Sequence, residues 1–381
     1  MVRLMASLGA GGVLYLTPMV FHREHFSAAS VGLGLALAAL TGTAGRFASG
    51  ALLDRGLNCS LPVLLAAATA LLADGLLLQA DTFPAYVVGQ LLLGTAMGLY
   101  WPAIELAVPL CSPPLSSARG YALARSADAL GIASGALGGA VLAALGRLRG
   151  IYVVDMLCLV VVAHLLLRRP LPSPAASPTG GVRLPWGQWL PPLLPLLALS
   201  VVATAIPALM QSALPLDLVR GGLERAAQPE SISALLIGLQ LGLLLLLQWP
   251  VGRTLAEKPV VVGLKLSLVC MAIGTALLAL SALSRHGIGL VVLAQLPLAL
   301  GEAAFLPIAT EAVVELSPPD HQGLAMALFS QCFAISAFGA PLVAGVLLDS
   351  HRHGAVLWLL VATTCLLGLG LLGPINRYAR R

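Results

Sequence analysis

Glu302 stands near the centre of a long apolar run, with Gln295 seven residues before it. At about 100° per residue the two share one face of a helix. A carboxyl group so placed can take up and release a proton. Ionisable groups are costly inside apolar surroundings, so each is a functional candidate by default. A second stripe is formed by Gln90, Met97 and Trp101, which fall within about 20° of one another on a helix, with Glu105 about 60° away. Gln211 lies one turn beyond Pro207 in a further run. Gln90, Trp101, Gln211, Gln295 and Glu302 together offer amide, indole and carboxyl groups to a small organic solute. Arg125 and Asp128 are spaced i, i+3 and can pair on one face. Glu302, Glu105 and Asp128 are the expected proton carriers, with Arg46 a possible partner for Glu105.

Other chemistries lack their residues. The six cysteines (Cys59, Cys111, Cys158, Cys270, Cys332, Cys365) are scattered, with no C-x-x-C and no Cys/His metal spacing. They read as small apolar residues. His22-Arg23-Glu24-His25 and His351-Arg352-His353 carry no carboxylate pair at metal spacing, which disfavours an intramembrane enzyme. There is no G-x-x-x-x-G-K-[ST] phosphate loop. The net charge of +5 comes without the aromatic–basic interleaving of single-strand binders. No catalytic residue, metal, cofactor or nucleic acid is expected.

These candidates must be positioned by membrane helices. Of 381 residues, 59% are hydrophobic and 10% charged, with a mean hydropathy of +0.95. Soluble domains carry about 25% charged residues, so a soluble fold of this size is excluded. The apolar runs are continuous rather than alternating, which excludes a transmembrane barrel. A spanning helix needs roughly 20 apolar residues, so with short loops the chain holds about 12 spans. They are read at 4–21, 30–52, 61–80, 84–110, 119–145, 150–168, 189–215, 232–251, 260–284, 288–314, 322–347 and 355–375. The first stretch begins almost at Met1 and reads as a retained span. Five prolines (Pro191, Pro192, Pro195, Pro207, Pro215) interrupt the seventh, marking it as a moving element. Asp74 and Asp155, in the third and sixth stretches, are read as structural.

A Pro-, Ser-, Ala- and Gly-rich break separates residues 1–168, an N-terminal six-helix bundle, from 189–381, a C-terminal one. Residues 169–188 read as a flexible cytoplasmic linker. Trp186 and Trp189 follow it as an interfacial anchor. With the N-terminus inside, fourteen Lys and Arg, Arg3 among them, fall on the cytoplasmic side against seven opposite, so both termini are expected in the cytoplasm. The halves repeat: Gln90, Pro102, Ser112, Pro113 and Pro114 recur as Gln295, Pro307, Ser317, Pro318 and Pro319, all at an offset of 205. Parallel repeats of this kind place a solute site between the halves, near the bilayer midplane.

The segment Arg46-Phe-Ala-Ser-Gly50-Ala-Leu-Leu-Asp54-Arg55 resembles the loop 2–3 signature of the major facilitator superfamily, R-x-x-x-G-x-x-x-D-R. The resemblance extends over essentially the whole chain. It implies a fold of two pseudo-symmetric six-helix bundles and alternating access. It also implies a cytoplasmic gate at Arg46, Gly50, Asp54 and Arg55, with Asp54 near Gln322 and with Arg125 and Asp128 joining the gate. The family's basic run after this signature is missing, because Gly56-Leu57-Asn58 follows. Two export-associated patterns are altered. R-x-x-x-G reads Gln90-Leu-Leu-Leu-Gly94, and G-x-x-x-G-P-x-x-G-G reads Gly131-Ile-Ala-Ser-Gly135-Ala136-Leu-Gly138-Gly139. The glycine face remains and permits close packing. The expectation is a monomeric, multi-pass plasma (inner) membrane transporter that exports a small organic solute, with a proton as coupling ion. A uniporter or uptake permease of the same fold, and a non-transporting assembly or sensor protein on this scaffold, are the alternatives.

Overall fold

The computed structural model describes residues 1–54, 56–111, 117–173, 186–255, 258–317 and 322–379. In hydrocarbon no water is present to satisfy backbone N–H and C=O groups, so each apolar run closes its hydrogen bonds within itself as a helix. The order is α1 (Val2–Arg23), α2 (Ala28–Asp54), α3 (Ser60–Gln79), α4 (Phe83–Cys111), α5 (Ser117–Ala144), α6 (Gly150–Arg168), α7 (Trp186–Arg220), α8 (Glu230–Leu255), α9 (Val260–Ser281), α10 (Gly287–Leu316), α11 (Gln322–His351) and α12 (Ala355–Gly368). A 3-10 turn (Leu369–Leu371) and α13 (Leu372–Ala379) follow. Twelve stretches are long and apolar enough to cross a membrane, the last running from Ala355 to Ile375. No strand occurs among the described residues. Leu72 (68% exposed), Leu246 (72%) and Leu367 (78%) point outward. So many bare leucines would be a liability in water and are at home against lipid.

The chain forms two compact units. The first comprises residues 1–178 with 229–238, the second residues 179–228 with 239–381. In the first, α1 packs on α5 and α6, α4 on α2 and α3, and α3 on α6. The glycine face of α5 lies on α1: a Cβ at Gly135 would land on the carbonyl oxygen of Leu8. Helices that associate in lipid gain from such close backbone approach. The α2–α4 seam is held by hydroxyls. Thr41 Oγ1 donates to Leu91 O at 2.9 Å and Ser49 Oγ to Leu99 O at 3.0 Å. At one end of the unit Arg149 caps α3, donating to Leu78 O (2.9 Å) and Ala80 O (3.0 Å) while pairing with Asp81 (2.7 Å) and Glu24 (2.9 Å). A cation at a helix C-terminus complements the unpaired carbonyls there.

In the second unit α11 lies on α7 and α10 on α9, with α12 against α9. Thr204 and Ser336 hydroxyls meet at 2.8 Å across the α7–α11 seam, and Ser267 Oγ donates to Gly301 O at 2.8 Å across α9–α10. A buried clamp gathers the ends of three helices. Asp217, near the end of α7, accepts from the Gly354 backbone N–H (3.0 Å) and Trp358 Nε1 (2.9 Å). It also pairs with Arg225 at 3.1 Å. Arg225 in turn donates to Asp217 O (2.8 Å) and Ser281 Oγ (2.5 Å). Both charges are buried, and a buried pair of this kind holds only while each partner is present.

Two expectations are corrected. The seventh helix is not interrupted: α7 runs through all five prolines as one helix of 35 residues. Neighbouring helices satisfy what a proline frees, which makes prolines tolerable in membrane helices. Trp189 is not an outward anchor but is buried in its unit (3% exposed); the side chain of Trp186 lies outside the described residues.

Candidate functional site

Arg3 sits in the first turn of α1, inside the apolar run rather than ahead of it, and is buried. A buried guanidinium demands acceptors. Its Nε reaches both carboxylate oxygens of Asp128 on α5, at 3.0 and 3.1 Å, and its Nη2 also contacts Asp128. The same Nη2 donates to Glu105 Oε1 on α4 at 3.1 Å. Glu105 is shared with Arg125 at 3.5 Å. Ser7, one turn along α1 from Arg3, donates its hydroxyl to Asp128 Oδ1 at 3.1 Å. The Arg3 guanidinium also lies 5.6 Å from the ring centre of Trp101, a favourable cation–π distance. Two cations and two carboxylates thus form one network across α1, α4 and α5.

Beside the network is a cavity of about 80 Å³, lined by Ser7, Met97, Tyr100, Trp101 and Asp155 together with alanines and aliphatic side chains of α1, α3 and α6. Arg3 Nη1 and the Tyr100 hydroxyl are buried without hydrogen-bond partners. Unpaired buried donors are expensive, and here they stand at a charged site next to open volume. The arrangement can exchange a proton or recognise a polar group presented to it.

The predicted residues fall as follows. Glu105, Asp128, Arg125 and Trp101 are brought together. The i, i+3 pairing of Arg125 with Asp128 is corrected: Asp128 takes Arg3, and Arg125 turns to Glu105. A bidentate contact from the facing helix is the stronger partner. Arg46 is half-buried on α2, and the cations paired with Glu105 among the described residues are Arg3 and Arg125. Gln90 is buried in the first unit with its Nε2 unpaired. Gly50 is half-buried, with nothing within 4 Å of where a Cβ would stand. Asp54 ends α2, but its side chain, Arg55 and the side chain of Gln322 lie outside the described residues.

In the second unit Gln295 is fully buried on α10, donating to Val291 O at 2.8 Å and leaving Oε1 unpaired. Glu302, two turns on, and Gln211 on α7 are each half-buried. No ion pair reaches Glu302 among the described residues. Gln90 and Gln295, the first pair of the repeat, are therefore alike in burial and in keeping one unpaired amide atom.

Arg3, Ser7 and Tyr100 in the charge network and its cavity, and the Asp217–Arg225 clamp, are the residues that sequence reading passed over. Arg3 carried a signal, since the apolar run begins before it at Val2, but it counts equally well as a topology charge.

Twelve apolar spans with a buried charge network inside them define a polytopic membrane protein. The sequence matches the Major Facilitator Superfamily over residues 1–264, and the chain belongs to that family. No curated protein matches the sequence. Among solved structures, the nucleoside transporter NupG is similar at a TM-score of 0.78 and 13% identity, covering 99% of this chain and 98% of that one. A POT family transporter in complex with a thioalcohol-conjugated peptide has a TM-score of 0.77 at 12% identity, covering 100% and 95%. Tetrameric PepTSo2 has 0.76 at 14%, covering 99% and 97%. At these identities the likeness concerns the fold.

Proposed function

We propose that this transporter exports a small organic solute by alternating access, driven by protons, from the plasma (inner) membrane as a monomer with both termini in the cytoplasm. We take 1–168 and 189–381 as the two bundles and 169–188 as the linker. The observation that carries the reading is the network of Arg3, Glu105, Arg125 and Asp128 beside the Trp101 cavity. Carboxylates held inside a membrane by cations are positioned to trade a proton for a cation contact. Glu302 and Asp128 are the principal proton carriers in this account, and Glu105 the third. Gln90, Trp101, Gln211, Gln295 and Glu302 are the solute contacts. Arg46, Gly50, Asp54, Arg55, Arg125 and Asp128 form the gate. Few charges stand in the solute stripe, which favours neutral, amphipathic or cationic solutes. Export rests on the resemblance of the α5 glycine pattern to that of exporters.

The test is proton flux in proteoliposomes. Nucleosides and short peptides, which neighbours of this fold are named for, and lipophilic cations are added in turn. A solute gradient should drive proton movement in the opposite direction for at least one class. Proton movement in the same direction would establish uptake instead. Solute movement without proton flux would establish a uniporter, and no movement of either would point to an assembly or sensor protein.

A further inference from the structure

Asp74 on α3 and Asp155 on α6 stand far apart in sequence, but α3 packs on α6 and the two carboxyl groups lie close enough to act on each other directly. Asp74 is 0% exposed and Asp155 3%. Neither carboxyl oxygen of Asp74, nor Oδ1 of Asp155, has a donor from any other group. The contact is tightly built, because α1 closes over it: a Cβ at Gly9 would land on Asp155 Oδ1 and within 2.9 Å of its Cα. Glycine at position 9 is what lets the helix pass. Two carboxylates cannot both be ionised at such range without a cation, and among the described residues no basic side chain pairs with either.

Among the described residues the surroundings supply no substitute charge. On α6, Tyr152 and Cys158 flank the pair, with Arg149 acting on Tyr152 from the helix start. Asp74 is the only ionisable side chain of α3. On α1 the nearest charge, Arg3, is held by Asp128. From α4, Tyr100 reaches the same cavity wall and Tyr86 lies near Tyr152. Asp155 itself lines the cavity that Ser7 and Tyr100 line, so the pair borders the volume beside the Arg3–Asp128 network.

We propose that Asp74 and Asp155 form a proton-binding site in the first unit, one carboxyl O–H donating to the other carboxylate, with Asp155 as its opening to the cavity. The pair takes one proton from the aqueous phase and returns it there, with no other bond made or broken. This site is separate from Glu302, and its test reads proton occupancy without transport. Failure of the coupling reading above therefore leaves it standing, and its own failure leaves that reading standing.

The experiment uses purified full-length protein carrying Glu302→Gln, so that Glu302 contributes no carboxyl signal. Infrared spectra across neutral to alkaline pH should show a protonated carboxyl band that changes in frequency or titration in both Asp74→Asn and Asp155→Asn. In parallel, the unfolding temperature should fall as pH rises, because removing the shared proton leaves two like charges in contact. Either asparagine variant should flatten that fall. The absence of a protonated carboxyl band at neutral pH overturns the proposal, and needs no variant beyond Glu302→Gln. A band and a pH profile unchanged by both substitutions also overturn it. So does stabilisation by sodium over choline that both substitutions abolish, since the pair would then hold a metal cation instead.

Discussion

Arg3 is the residue on which the first-half site turns. It takes both oxygens of Asp128 and reaches Glu105, so its removal strands the buried Asp128 carboxylate and takes one cation from the half-buried Glu105. Loss of one member of a buried pair costs about 3–5 kcal/mol. Arg3→Ala should therefore lower unfolding stability by that order, and Arg3→Lys should recover little of it, because an ammonium cannot reproduce the planar fork. Chemical unfolding in detergent of the two variants against the parent measures this; equal recovery by lysine would show that charge alone is required. Glu105 and Asp128 were legible in the sequence because a carboxylate inside an apolar run stands out. Arg3 was not, since a basic residue two positions from the chain start is indistinguishable from a topology charge. Which cation meets which anion depends on helix packing, and so the Arg125–Asp128 spacing misled.

At the scale of elements, the Asp217–Arg225 clamp does for the second unit what sequence spacing does not reveal. It joins the end of α7 and the loop after it to Ser281 at the end of α9 and to Gly354 and Trp358 at the start of α12. Arg225→Met should strand Asp217 and destabilise by about 3–5 kcal/mol. Asp217→Asn added to it should restore part of that loss, because the amide oxygen still accepts from Gly354 or Trp358. A double-mutant cycle of unfolding free energies decides, and strict additivity would contradict the clamp. The helices themselves were legible, since apolar length sets spans, and so was the packing face of α5. The continuity of α7 was not. A proline breaks a helix in water, where local sequence decides, whereas in a bundle the neighbouring helices keep it continuous.

For the whole molecule, composition alone placed the chain in the membrane, and the loop 2–3 signature with the 205-residue repeat placed it in its family. The same scarcity of charge narrows the mechanism. Most basic residues sit in loops or near helix ends. The charges left inside include the Arg3 network, the Asp217–Arg225 clamp, the Asp74–Asp155 pair and Glu302. The last is the simplest proton carrier, because no cation competes with the proton for it among the described residues. Its α10 partner Gln295 lies buried two turns away, matching Gln90 in the first half. The most direct measurement is transport in proteoliposomes by Glu302→Gln, once a solute is found. With a proton gradient imposed, the variant should fail to accumulate solute against its gradient while still exchanging labelled for unlabelled solute. Uphill accumulation at the rate of the unsubstituted protein would contradict proton coupling through Glu302.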